Sequence, residues 1–118
     1  MNIFKSLLVA LLLTLTSLAA NAQSQSKNEQ TASIKTSAVC GMCKKTIEKA
    51  MAYEKGIKSS SLDVDSKILT VVFDSRKTSL ENIRKAVNES GYDADDKPAS
   101  ERAYKRLDDC CKKETGNH

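Results

Sequence analysis

Apolar residues recur along this chain at different spacings, and each spacing predicts a different kind of segment. Leu7 to Leu18 is nearly unbroken, interrupted only by Thr14, Thr16 and Ser17, and a single charge, Lys5, precedes it. Ala20-Asn21-Ala22 follows as the small-x-small pattern that signal peptidase cuts. The run falls short of the roughly 20 residues a membrane span takes. No later stretch is long enough either, and no cysteine follows closely enough for a lipid anchor. Residues 1–22 are therefore expected to be a cleaved export signal rather than a buried N-terminal helix. The mature chain is expected to be periplasmic or secreted, without stable membrane insertion.

Gln23 to Gln30 is polar and aperiodic and reads as a disordered leader. From Thr31 to Val39, Thr, Ile and Val alternate roughly as in a strand. Over Gly41 to Tyr53 the period changes: Cys43, Ile47, Ala50 and Met51 fall at helical spacing, and Gly56 is the stop. Leu62 and Val64 then alternate with Asp63 and Asp65, and Leu69, Val71 and Phe73 alternate with Ile68, Thr70 and Val72. Asp65-Ser66 is the turn between these two strands. Thr78 with Glu81 predicts a capping box for a second helix, with Leu80, Ile83, Ala86 and Val87 inward and Gly91 as its stop. Tyr92 to Asp96 is expected as a short last strand. After Pro98, Ala99 to Lys113 is expected as a further helix, with Ala103, Leu107 and Cys110 or Cys111 on one side. This order predicts an α+β sandwich of split βαβ type, four strands in one layer and two helices in the other. The domain is expected over residues 31–97, with a helical extension over 98–118.

Charge and composition narrow the function. Loss of Lys5 with the export signal lowers the formal net charge of +4 by one. The charges are mixed and dispersed, and three Tyr and two Phe are too few for base stacking, so nucleic acid is not an expected partner. The one histidine, His118, is terminal and is not expected to be a ligand. No Ser/His/Asp or Cys/His arrangement can be assembled around it, so no enzyme is expected.

The chemistry lies in Cys40-Gly41-Met42-Cys43, where the first strand gives way to the first helix. The first turn of a helix has unpaired N–H groups and a partial positive charge that favour thiolate over thiol. Lys44 and Lys45 are expected to add to that field, and Gly41 to let the loop turn sharply. Two thiolates three residues apart can converge on one ion. Two soft ligands suit Cu(I) and other thiophilic ions, whereas structural zinc needs four. The competing readings are a thiol–disulfide redox pair, which an oxidising compartment favours, and a structural disulfide.

With Ile47-Glu48 after the cysteines, Leu69-Thr70-Val71-Val72-Phe73-Asp74, and Leu80 through Gly91-Tyr92, the chain resembles the heavy-metal-associated domain. That domain occurs in soluble copper chaperones and metal-pumping ATPases, and the likeness is greatest to exported mercury-binding and copper-binding proteins of bacteria. The resemblance covers about Ser33 to Ala94. It implies a ferredoxin-like βαββαβ fold and metal binding by Cys40 and Cys43, with Cu(I) favoured over Hg(II), Zn(II) or Cd(II). It also implies that Tyr92 resembles the tyrosine lying behind the metal ligands in bacterial members; a half-buried core tyrosine is the plain alternative. The family's methionine two residues before the first cysteine is here Ala38, which puts loop packing in doubt. Met42, between the cysteines, either approaches the ion through its thioether or packs and faces solvent.

Cys110-Cys111 lies outside the resemblance. Adjacent cysteines on a helix diverge, so joint ligation requires unwinding. A third ligand to the Cys40–Cys43 ion, a second metal site, a disulfide to Cys40 or Cys43, and simple packing all stay open. The expected function is a carrier that binds a soft ion and passes it to a metal-transporting membrane protein or a cuproprotein acceptor. A redox protein and a metal-sensing subunit are the alternatives. The chain is expected as a monomer, with a metal-bridged dimer as a variant.

Overall fold

Alternation of apolar and polar residues lays three strands side by side: β1 (Glu29–Lys35), β2 (Ile57–Asp63) and β3 (Ile68–Asp74). They form a sheet in the order β1-β3-β2, and both pairings are antiparallel. The computed structural model describes residues 27–112. The expected export signal, the first half of the leader and His118 lie outside the described residues. On β3, Leu69, Val71 and Phe73 are buried and Thr70 is exposed, the two-residue period read from the sequence. β1 starts at Glu29, two residues inside the stretch expected as leader, because Glu29 pairs with Asp74 and its carboxylate meets Lys58 Nζ at 2.9 Å. β1 also ends at Lys35, short of the expected Val39. β2 likewise lies earlier than expected. Its Ser59-Ser60-Ser61 carries no apolar signal, yet each pairs with β3 in the backbone ladder. Val64 falls in the turn, which Lys67 closes with φ 63°.

Two helices complete the core. On α1 (Gly41–Tyr53), Cys43, Ile47 and Met51 recur every four residues and are fully buried. On α2 (Leu80–Glu89), Ile83 and Val87 do the same. They join Ile34, Leu62, Leu69, Val71 and Phe73 in one cluster, each side chain contributing about 1.5–3 kcal/mol over exposure. The cap of α2 is Ser79, whose Oγ accepts from Asn82 N at 3.2 Å, and not the expected Thr78. Thr78 is buried instead, its methyl group set where a Cβ on Gly56 would come within 2.9 Å.

The last two expected elements differ. The fourth strand is reduced to a bridge between Ala94 and Thr36 on the outer edge of β1. Ala94 and Lys97 close a tight turn through reciprocal backbone hydrogen bonds of 2.9 Å, and Asp95 takes φ 53° within it. That turn carries the chain away before a ladder can extend. The expected helix over 99–113 is also broken. α3 (Glu101–Lys105) is short; Leu107 then packs over Gly91, Asp108 is extended, and a 3-10 turn covers Asp109–Cys111. The whole is the expected ferredoxin-like α+β fold, with an open three-stranded sheet. Among the described residues, no helix is long and apolar enough to cross a membrane.

Candidate metal centre

Cys40 ends the loop after β1 and is the N-cap of α1, with extended backbone (φ −153°, ψ 174°) and its carbonyl accepting from Lys44 N at 3.1 Å. Helices usually place a side-chain oxygen there to meet the free N–H groups; this one places sulfur. Cys43, in the first turn, faces the core and is fully buried. The two Sγ atoms stand 3.3 Å apart. Burial raises the Cys40 thiol, but the Cys43 backbone and thiol, the Met42 N–H and the Cys111 thiol outweigh it and leave the pKa lowered. No acidic residue in the first turn opposes the thiolate. Lys44 does not serve as expected. Its Nζ is 2.8 Å from Glu48 Oε2 and 2.8 Å from the Leu62 carbonyl, so its charge is engaged at β2. Gly41 has ordinary φ, and a Cβ there would meet nothing within 4 Å, so the corner does not need its freedom.

The broken C-terminal helix brings a second pair of thiols to the first. Cys111 Sγ is 3.9 Å from Cys40 Sγ and 3.7 Å from Cys110 Sγ. The sulfurs of Cys40, Cys110 and Cys111 all lie within 4.8 Å of one another. The Cys40 thiol also points at the Cys110 carbonyl, 3.7 Å away, and the Cys43 thiol at the Cys111 carbonyl, 3.9 Å away. All four cysteines are free thiols. Cys111 is buried and Cys110 exposed. Burial pushes the Cys111 thiol well up, and the Cys43, Cys110 and Cys40 thiols around it push in the same direction.

Met42 is half exposed, and its Sδ lies 3.8 Å from Cys110 Sγ, which donates to it. Tyr92 is fully buried in the core cluster with Cys43, Ala38 and Cys111. Burial drives its phenol far above the usual range, and the neighbouring thiols of Cys43 and Cys111 add to this. Its hydroxyl has no oxygen or nitrogen partner among the described residues. Ala38 keeps the loop packed without a methionine: it is fully buried, and its N–H donates to Thr36 Oγ1 at 3.2 Å. Sequence reasoning left the placement of Cys110 and Cys111 open. Its one signal was Asp108-Asp109, acidic residues suited to starting a new helical turn just before the cysteines.

The chain is similar to known proteins. The family profile for the heavy-metal-associated domain matches residues 29–93. The copper chaperone CopZ of Staphylococcus haemolyticus is 32% identical over 54 residues, which are 46% of this chain and 79% of that protein. Oxidized MerP from Ralstonia metallidurans superposes with a TM-score of 0.54 at 27% identity, covering 56% of this chain and 93% of MerP. A mercury-bound form of MerP, the periplasmic protein of the bacterial mercury detoxification system, gives a TM-score of 0.51 at 25% identity, over 57% of this chain and 94% of that one. On its strand-to-helix thiol pair, its fold and the span of the family match, this chain belongs to the heavy-metal-associated domain family.

Proposed function

We propose that this chain is an exported carrier of one soft metal ion, Cu(I) ahead of Hg(II), held between Cys40 and Cys43. It passes the ion to a membrane transporter or a cuproprotein by exchange of thiolate ligands. The observation that carries this reading is the 3.3 Å approach of the two sulfurs at a helix N-terminus. Cys40 is partly exposed, and Cys43 closes the site from the core side. Each thiol releases its proton as it ligates, and the local N–H groups ease that step at Cys40. An acceptor thiolate enters on the side of Cys40, shares the ion, and takes it as Cys40 and then Cys43 let go. CopZ as a copper chaperone and MerP as a periplasmic mercury protein support the cargo and the compartment. The pattern of residues 1–22 supports export.

Anaerobic titration of the reduced chain with Cu(I) against a competing chelator tests the reading. Wild type is expected to take up one tightly held equivalent. The double variant Cys40→Ser/Cys43→Ser is expected to lose about a thousandfold in affinity, roughly 4 kcal/mol. Tight binding that survives in the double variant overturns the assignment. Parallel titration with Hg(II) ranks the two ions. A reduction potential in the range of disulfide donors, with weak affinity for both ions, would instead make the pair a thiol–disulfide couple.

A further inference from the structure

We propose that Cys40, Cys110 and Cys111 form a three-thiolate site for a divalent thiophilic ion of the Zn(II) or Cd(II) class, sharing Cys40 with the Cys40–Cys43 pair. The site rests on the metal-carrier reading for Cys40 alone. The spacing of the sulfurs is the reason. At a metal–sulfur length of about 2.3 Å, two sulfurs across a linear ion stand about 4.6 Å apart, around a trigonal ion about 4.0 Å, and around a tetrahedral ion about 3.8 Å. Cys40 to Cys111 is 3.9 Å and Cys110 to Cys111 is 3.7 Å, with all three sulfurs inside 4.8 Å. Those are distances for three or four ligands around one ion. Cys40 and Cys43, at 3.3 Å, must part by about 1.3 Å before a linear ion fits between them.

The tail is also held where it is. Cys111 is 3% exposed and belongs to the core cluster. Leu107 is seated on Gly91, where a Cβ would come within 2.9 Å of it. The Cys111 N–H donates to the Asp108 carbonyl at 2.8 Å, which fixes the turn that points both sulfurs the same way. Three thiolates around a divalent ion leave a fourth position, and Cys110 is exposed beside it. Each thiol gives its proton to solvent as the ion enters, so charge and protons balance without any redox partner.

Cd(II) titration of the reduced full chain tests the site, because each coordinated thiolate adds to the thiolate-to-Cd(II) charge-transfer absorption. Wild type is expected to show three thiolates for the first ion. Cys110→Ser, at an exposed position that leaves the core untouched, is expected to show two. Cys110→Ser/Cys111→Ser is expected to weaken Cd(II) binding about a hundredfold, the upper range for losing even a supporting partner of a ligand, while keeping its Cu(I). Cys43→Ser is expected to keep all three thiolates. Circular-dichroism melting of each variant separates ligand loss from unfolding. Tail variants that match wild type in absorption and affinity overturn the three-thiolate site and leave the Cys40–Cys43 carrier standing. Loss of one thiolate in Cys43→Ser overturns it in favour of a four-sulfur site. A wild-type chain that binds neither ion overturns both readings.

Discussion

Tyr92 is the largest fully buried side chain among the described residues, and its hydroxyl sits among sulfurs rather than oxygens. A buried hydroxyl without a strong partner adds little to stability, and replacing it by an apolar group of the same shape is close to neutral. Tyr92→Phe is expected to leave the thermal midpoint unchanged or raise it; a loss above about 1 kcal/mol would show that the sulfur contacts hold the fold together. At this scale, what the sequence showed depended on whether a side chain's direction follows from local periodicity. The corner Cys40–Cys43 was legible because the helical period begins between them. The burial of Cys43 was legible because it opens the series Cys43, Ile47, Met51. The contact of Met42 with Cys110 was not, because it spans 68 positions and depends on where the tail turns.

Among the elements, the helices and the central strand were legible because each presents one apolar face at a single period. The C-terminal helix misled because Ala103 and Leu107 fit a helix whether or not it continues past Arg106. Gly91 is where the chain past that point is held. It combines φ 106° with the close seat of Leu107, and both need a residue without a Cβ. Gly91→Ala is expected to destabilise the chain by about 1–3 kcal/mol in urea unfolding and to loosen the tail. Gly41→Ala, with open space around it, is expected to be neutral or slightly stabilising in the same measurement. The cap of α2 shows a similar limit. Thr78 has the spacing of a capping box, but packing against Gly56 claims its side chain, and Ser79 takes the role.

Over the whole molecule, acid tests how the sheet joins α2. The Asp74 carboxylate at the end of β3 accepts from Arg76 Nη2 and backbone N at 2.9 Å and from Arg76 Nε at 3.1 Å. These bonds, led by that of the Arg76 side chain, hold its pKa at about 2 against an ordinary 3.8. The contribution to stability is therefore complete above about pH 4 and lost as pH falls through about 2. Urea unfolding from pH 6 to pH 2 is expected to show that decline in wild type and a flatter profile in Asp74→Asn. The open sheet was harder to foresee, since Tyr92 to Asp96 has the length of a strand, yet the Ala94–Lys97 turn, with Asp95 left-handed within it, leaves only one bridge. The seat of Leu107 on Gly91 has one more consequence. Cys110 hangs three positions past that fixed point, so in the proposed three-thiolate site a sulfur on so short a leash would return to a divalent ion at a local concentration on the order of millimolar.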